Sequence, residues 1–463
     1  MTNSNIIFLY GPPASGKTTL GKALASQLGW KFVDTDAVIV ERAGRSIADI
    51  FATDGEPTFR ALETEALNSV IESCAGAQAV VALGGGTLLK AENRAACEAN
   101  GTVFCLETPS DDELCRRLNV APGSRPLGNR ARERAAHYAS FVHRVADSFV
   151  LPESLVVVGT GIASQFMRSD RTVFDATVAQ CHPELAAAPL ALIPSGEEHK
   201  TPETVIGLWH AFARAGLGRR DAVAACGGGV TGDLTGFAAA TWMRGIAWMN
   251  FPTTLLAMVD ASTGGKTGCD LPEGKNLAGA FHQPKVVVID TEFLKTLPDN
   301  ILKDGRAEMI KHEVIGGLEH GHAPCGIPSA KEIAENLAVK VAIVREDPLE
   351  RLGKRILLNC GHTVGHAVEV AMDYRISHGQ AVAIGCVEEA RHAVRRGLAP
   401  AEWPDELAAR FAAAGLPVEL PKGMDFNGLA KWMHGDKKRQ GNAVVFALPC
   451  GWGDVRAVKE ELP

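Results

Sequence analysis

The chain has 463 residues, 46% of them hydrophobic and 22% charged, with a net charge of −7, which predicts two or three domains of a soluble globular protein. The negative balance excludes a general nucleic-acid binder and puts the basic residues that matter in pockets for anionic small molecules. The 11 cysteines form no C-x-x-C pair and no apolar stretch reaches bilayer length, so the expectation is a cytoplasmic enzyme with reduced thiols and no membrane partner.

Ile6–Tyr10 is an apolar run ending in Gly11-Pro12-Pro13 and reads as a buried strand. It is too short, and lacks the basic flank, for a signal peptide. Lys17–Leu28 has helical spacing, with Leu20, Leu24 and Leu28 on one face. Lys31–Val33, Ala79–Leu83 and Val103–Leu106 are further strand candidates, and this β/α rhythm predicts a parallel sheet with helices on both faces. Pro152 marks a boundary near Phe149–Ser154. Leu155–Val158, Ala222–Cys226 and Val286–Ile289 are strands of a second α/β block, and helical periodicity dominates from Leu294, as in Asp304–Ile315 and Lys331–Val344. The fold class is α/β. One parallel-sheet unit covers 1–152, and a second region covers 153–463, with an α/β half at 153–293 and a mostly helical half at 294–463.

Gly11-Pro12-Pro13-Ala14-Ser15-Gly16-Lys17-Thr18, followed by Thr19, matches G-x-x-x-x-G-K-[ST] between a strand and a helix. Glycines let successive backbone N–H groups face phosphates, and the helix N-terminus adds partial positive charge. This P-loop predicts ATP and Mg²⁺, with Lys17 on the β/γ-phosphates and the Thr18 hydroxyl on the metal.

A P-loop leaves the phosphoryl acceptor open. Asp34-Thr35-Asp36 ends the second strand. Arg45–Phe51, Gly55-Glu56 and Phe59-Arg60 follow, then Leu83-Gly84-Gly85-Gly86-Thr87 and Arg125-Pro126-Leu127. Together these motifs resemble the shikimate kinase family over nearly all of residues 5–150. The resemblance implies that Asp34 positions Mg²⁺ through water and that Asp36 orients or deprotonates the attacking hydroxyl. It implies that Arg60 forks onto the shikimate carboxylate and that Gly84, Gly85 and Gly86 allow close approach. Arg125, in the lid, would stabilise charge on the transferring phosphoryl group. Asp34 and Asp36 also suit a pair of turn-capping acids. The family's second substrate arginine follows a Tyr. Here Ala139 follows Tyr138, leaving Arg144 and, behind it, Arg134 as candidates.

Cys226-Gly227-Gly228-Gly229-Val230-Thr231-Gly232-Asp233 contains G-x-G-x-x-G, but the acid expected about 20 residues on for a plain dinucleotide fold is not clear. Downstream lie Asp260–Thr267 with Lys266, Gly274-Lys275-Asn276, Ala307-Glu308-Met309-Ile310-Lys311, Asn359–His366 and His378-Gly379. A carboxylate with imidazoles suits Zn²⁺, and the lysines suit a phosphate and a carboxylate. His362 and His366, four apart, share a helical face and on physics alone form the zinc pair.

The whole pattern resembles the 3-dehydroquinate synthase family over about residues 155–460. The resemblance implies an NAD-binding α/β domain and a mostly helical metal-binding domain behind a P-loop kinase domain. It moves the Zn²⁺ (or Co²⁺) ligands to Glu308, His362 and His378, and makes His366 an acid/base residue at the substrate. It implies catalytic roles for Asp260, Lys266 and Lys311. Substrate contacts fall to Arg244, Lys275, Asn276, Lys340, Arg355, Asn359, and one of Lys437 and Lys438. NAD⁺ contacts fall to Asp175, Glu197, Lys200, Gly228, Gly229, Asp233, Thr253, Thr254, Lys266 and Lys275. Arg244 reaches a phosphate across a dimer interface, so a homodimer through the synthase region is expected. The implied function is a bifunctional enzyme that phosphorylates shikimate and cyclises 3-deoxy-D-arabino-heptulosonate 7-phosphate to 3-dehydroquinate. Two alternatives stay open: a polyol dehydrogenase, which needs no cluster of Lys266, Lys275 and Lys311, and a kinase half reduced to a docking module, against which Lys17, Asp36 and Arg60 stand.

Overall fold

A computed structural model describes residues 6–107, 117, 133–318, 321, 323, 325–433 and 443–461. Arg125, Lys437 and Lys438 lie outside the described residues. The chain divides into two compact units, Met1–Met167 and Arg168–Pro463.

In the first unit β1 (Ile6–Tyr10) is buried at every position, as a central strand of a parallel sheet requires. Around it lie β2 (Lys31–Asp34), β3 (Ala79–Ala82), β4 (Thr102–Leu106), β5 (Arg144–Val150) and β6 (Leu155–Thr160), in the order β2-β3-β1-β4-β5-β6. The first five are parallel and β6 is antiparallel to β5. Phe8, Tyr10, Leu67, Val81 and Val103 fill the core on one face. Helices α1 (Lys17–Leu28), α2 (Thr35–Ala43) and α3 (Ile47–Ser73) place the P-loop, Asp36 and Arg60 at one end of the sheet.

The Pro152 region is the turn that joins β5 to β6, closed by Leu151 N–H to Ser154 O at 2.8 Å. One sequence expectation changes here. Asp34 alone ends β2. Thr35 and Asp36 already belong to α2, for which Asp34 is the N-cap, accepting from the Asp36 N–H at 3.1 Å.

The second unit opens with β7 (Thr172–Asp175), β8 (Ala191–Ile193), β9 (Ala222–Gly227) and β10 (Ala247–Pro252). The hairpin β11 (Lys266–Leu271)–β12 (Gly274–Phe281) and then β13 (Val286–Asp290) follow. Within this unit β13-β10-β9-β7-β8 run parallel. Helix α4 (Gly229–Thr241) starts directly after β9. Beyond β13 come α5 (Asp299–Gly316), α6 (Ala330–Glu346), α7 (His362–Ala371) and α8 (His378–Arg395). The helical half closes on a hairpin, β14 (Ala443–Gly451) and β15 (Asp454–Glu461), that helical periodicity does not predict. Among the described residues no helix is long and apolar enough to cross a membrane.

Helices α7 and α8 approach through glycine. A Cβ on Gly385 would lie 2.0 Å from the Gly361 carbonyl oxygen and 2.7 Å from the Gly365 nitrogen. Each of these helices begins at a histidine of interest, so this close contact sets the spacing of His362 and His378.

Candidate active sites

In the first unit Gly11, Ala14 and Gly16 take positive φ values of 137°, 59° and 97°, which curls Pro12, Pro13 and Ser15 into a loop ahead of α1. A Cβ on Gly11 would meet the Leu106 carbonyl at 2.6 Å, so only glycine fits there. Lys17 Nζ donates to the Gly11 and Pro12 carbonyls at 2.9 and 2.7 Å. Burial pulls Lys17 down to about 8, against the attraction of Asp36 and Asp34. The Thr18 hydroxyl donates to Asp34, while Thr19 is an exposed residue of α1.

Asp36, Arg60 and Gly84–Gly86 converge. A Cβ on Gly84 would sit 2.9 Å from Asp36 Oδ1, and one on Gly86 would sit 2.3 Å from the Arg60 guanidinium. Arg60 donates to Glu56 at 2.7 Å and pairs with buried Glu63. Burial first, then Asp34 and Glu63, lifts Asp36 to about 6, while Lys17 and Arg60 oppose. The Tyr138 hydroxyl donates to the Gly85 carbonyl at 2.8 Å. Arg134 lies beside the Tyr138 side chain and opposes the rise that burial causes in its hydroxyl's pKa, whereas Arg144 begins β5. Arg134 is therefore the arginine nearer the cradle.

In the second unit Glu308 on α5, His362 at the start of α7 and His378 at the start of α8 each offer a ligand atom, all within 4.8 Å of one another. Both imidazoles turn Nε2 toward Glu308 Oε1, at 3.4 and 3.3 Å. Their Nδ1 atoms face acceptors: the Cys360 carbonyl at 3.1 Å for His362 and Glu369 Oε1 at 3.2 Å for His378. This donor set fits a Zn²⁺-type ion, because both rings aim Nε2 at the Glu308 carboxylate while Nδ1 has its own acceptor. The pair expected from spacing alone, His362 and His366, is not the set built on Glu308. His366 lies edge-on to His362 at 5.3 Å and groups instead with Glu369 and His378. The reason is tertiary: α5 and α8 bring their ligands to His362, which no helical period within α7 reports.

Beside the cluster, Lys311 pairs with Glu308 and lies 3.9 Å from Asp260. Lys340 donates to the Asp260 carboxylate at 2.7 Å. Burial opposes ionisation of Glu308 and Asp260. The lysines outweigh it and hold both carboxylates below their usual range. Asp260 sits on a π-helical turn, Ala257–Ala261, a backbone irregularity common at functional sites.

Lys200 is buried, 2.7 Å from Asp233 and 2.6 Å from Asn276 Oδ1. Asn276 holds φ 53°, and its N–H donates to Asp270 at 2.6 Å. Gly228, Gly229, Asp233 and Lys266 line one pocket. Thr253 N–H donates to the Gly227 carbonyl at 2.9 Å, and Thr254 packs where a Gly228 side chain would stand. Asp175 caps a short helix and accepts from Ser195. Lys275 lies 3.8 Å from Glu197 and 4.5 Å over the Tyr374 ring. Arg355 donates to the Gly264 and Pro348 carbonyls. Asn359 ends the turn before Cys360. Lys266 points to Glu350, and Arg244 is an exposed residue with φ 71°. Neither of these two joins the Glu308 cluster.

Sequence reasoning missed several residues that touch these groups. Glu63 lies three residues after Arg60, His312 lies four after Glu308, and Glu369 lies seven after His362. Helical spacing marks each of them. Arg117, which donates to the Ala14 carbonyl at 3.3 Å, carried no such signal.

Fold and sites define a nucleotide-type P-loop domain joined to an α/β-plus-helical domain with a three-residue metal-type cluster. Residues 13–149 match the model of the shikimate kinase family. Residues 190–304 and 305–439 match the N-terminal and C-terminal models of 3-dehydroquinate synthase. A 3-dehydroquinate synthase from Synechococcus sp. is 46% identical over 284 residues, covering 58% of this chain and 77% of that protein. A 2-deoxy-scyllo-inosose synthase complexed with carbaglucose-6-phosphate, NAD⁺ and Co²⁺ superposes with a TM-score of 0.60 at 25% identity, over 68% of this chain and 96% of that one. The 2-epi-5-epi-valiolone synthase of Streptomyces hygroscopicus subsp. jinggangensis, with NAD⁺ and Zn²⁺ bound, gives 0.59 at 27% identity, over 68% and 95%. The chain belongs to the 3-dehydroquinate synthase family and carries a shikimate kinase domain ahead of the synthase, a fusion of two shikimate-pathway enzymes.

Proposed function

We propose that one polypeptide catalyses both reactions: ATP- and Mg²⁺-dependent 3-phosphorylation of shikimate, and NAD- and metal-dependent cyclisation of 3-deoxy-D-arabino-heptulosonate 7-phosphate to 3-dehydroquinate with loss of phosphate. The observation that carries the synthase reading is the convergence of Glu308, His362 and His378 beside buried Lys311. When bound, a Zn²⁺ or Co²⁺ ion supplies Lewis acidity and NAD⁺ a hydride acceptor.

The chain's own residues take the remaining tasks. Gly228, Gly229, Asp233 and Lys200, with Asp175, Glu197, Lys275, Thr253 and Thr254, hold the dinucleotide. Lys311, Lys340, Asn276 and Arg355 hold the anionic substrate, and Asp260 and Asn359 orient its hydroxyls. His366 moves a proton at the phosphate end. Lys266 meets the phosphate end, one of Lys437 and Lys438 closes on the substrate carboxylate, and Arg244 reaches a phosphate from a second copy in a homodimer. Aligning substrate against these groups supplies much of the rate enhancement.

In the kinase half, Arg60 and Gly84–Gly86 seat the cyclic hydroxy-acid, with Arg134 as the second carboxylate ligand. Asp36 takes the proton of the attacking hydroxyl, Lys17 and Arg125 meet the phosphoryl charge, Thr18 holds Mg²⁺ and Asp34 positions it through water. The raised pKa of Asp36 supports its role as a base near neutral pH.

Both activities should be assayed on the purified full chain. Both reactions turn over in the wild type. Lys17→Ala abolishes only the kinase, and a chelator in Mg²⁺-replete buffer silences only the synthase. Kinase turnover surviving in Lys17→Ala, or full synthase activity after verified zinc removal, overturns the corresponding half.

A further inference from the structure

We propose that Glu369 is the positioning residue of the metal site: it fixes the tautomer and the ring orientation of His378. The inference rests on the reading that Glu308, His362 and His378 hold the ion.

A neutral imidazole carries one N–H. To present a lone pair at Nε2 it must keep the proton on Nδ1, and that proton needs an acceptor if the ring is not to rotate or change tautomer. The two histidines meet this requirement differently. His362 uses a backbone carbonyl, that of Cys360 at 3.1 Å. His378 stands first in α8 and uses a side chain from another helix, Glu369 Oε1 of α7, at 3.2 Å. Glu369 is only 7% exposed, so water is a poor substitute there. A backbone acceptor cannot be lost by substitution, whereas Glu369 can, which makes it the exposed link in the design.

A second contact restrains the same helix end. Ser377 caps α8, and its hydroxyl donates to Asp304, one turn before Glu308 on α5. Gly379 packs so closely on Asp304 that a Cβ would come within 2.4 Å of its Cα. The backbone at His378 is thus tied to the helix bearing Glu308, and ring rotation is the freedom left for Glu369 to remove.

Geometry also separates this role from ligation by Glu369 itself. His366, Glu369 and His378 form a second possible donor group. In that arrangement His378 would bind through Nδ1, the atom that faces Glu369, while its Nε2 faces Glu308 at 3.3 Å.

The test measures Zn²⁺ affinity of the full chain by chelator competition, together with the unfolding midpoint of the metal-free protein, for wild type, Glu369→Ala, Glu369→Gln, His362→Ala and His366→Ala. Glu369→Ala should weaken Zn²⁺ binding about 10- to 100-fold, the usual effect of losing such an outer partner. That weakening should exceed whatever the fall in its own metal-free midpoint accounts for. Glu369→Gln, whose amide oxygen still accepts the Nδ1 proton, should recover part of the affinity. His362→Ala should lose the ion and His366→Ala should keep it. Wild-type affinity in Glu369→Ala overturns the proposal. So does a weakening matched by a metal-free midpoint that falls equally in the alanine and glutamine variants. Loss of the ion in His366→Ala with retention in His362→Ala makes Glu369 a ligand and also overturns it. A wild-type chain that binds no Zn²⁺ instead sinks the underlying metal reading, a result distinct from the others.

Discussion

The Thr18 hydroxyl donates to the Asp34 carboxylate at 2.8 Å, joining the start of α1 to the end of β2. Asp34 meanwhile caps α2, so the capping role and the site role fall on one side chain. If Mg²⁺ is held between these groups, Asp34→Asn removes charge from its surroundings while leaving an oxygen to cap the helix. Losing a charged hydrogen bond costs about 1.5–3 kcal/mol, so the Mg²⁺ concentration for half-maximal kinase rate should rise on the order of 10-fold or more. Synthase turnover should not change. An unaltered Mg²⁺ titration would remove Asp34 from the metal site.

As the proposed base, Asp36 should set the kinase's acid limb. Burial, Asp34 and Glu63 raise it to about 6, so it is largely protonated below that pH and cannot accept the hydroxyl proton. The kinase rate should rise with pH through about 6 and then level off. Asp36→Asn should lower it about 10²- to 10⁴-fold and remove that limb. The stability sign follows from the same shift. The folded value exceeds the ordinary 3.8, so this group's contribution is complete below the unfolded value and is lost as pH rises through about 6. A kinase profile flat between pH values on either side of Asp36's pKa would argue against its acting as the base.

Much of this architecture is legible in the sequence where the signal is local. The run Ile6–Tyr10 followed by the P-loop and Leu20 and Leu24 of α1 predicts strand, turn and helix as they are found. Cys226–Asp233 likewise predicts β9 running into α4. The signal fails where pairing is long-range. Strand β5 alternates only weakly in burial and is fixed by β4 on one side and β6 on the other. The β11–β12 hairpin carries Lys266, Lys275 and Asn276 with an irregular register near Leu271, set by pairing rather than by composition. The site shows the same division. Residues on one helix face, such as His362, His366 and Glu369, are visible from spacing, but the choice of His378 over His366 beside Glu308 depends on how α5, α7 and α8 pack.

That packing gives a third prediction. A methyl group at Gly385 would meet the Gly361 oxygen at 2.0 Å and the Gly365 nitrogen at 2.7 Å, all backbone atoms that cannot swing aside. Gly385→Ala should force α7 and α8 apart and destabilise the synthase unit by about 1–3 kcal/mol, the usual range for overpacking. Because His362 and His378 begin those two helices, Zn²⁺ binding should weaken more than the stability loss alone predicts. Chemical denaturation and chelator competition on the same variant check both, and unchanged values in each would show that the helices have room to adjust.

Glu308 and Lys311 give the last. They form an ion pair one helical turn apart on α5, at 0% and 1% exposure, with Asp260 3.9 Å beyond the lysine. Removing one member of such a pair strands the other's charge in a low-dielectric interior, typically at a cost of about 3–5 kcal/mol. Glu308→Gln should therefore destabilise the metal-free synthase unit by about that amount, besides abolishing Zn²⁺ binding. Adding Lys311→Met removes the stranded charge, so the double variant should be more stable than Glu308→Gln alone although it stays inactive as a synthase. Urea unfolding of the metal-free proteins separates the two effects. If the double variant is no more stable than the single, Lys311 is already neutralised by Asp260, and Glu308 is retained for the ion rather than for the lysine.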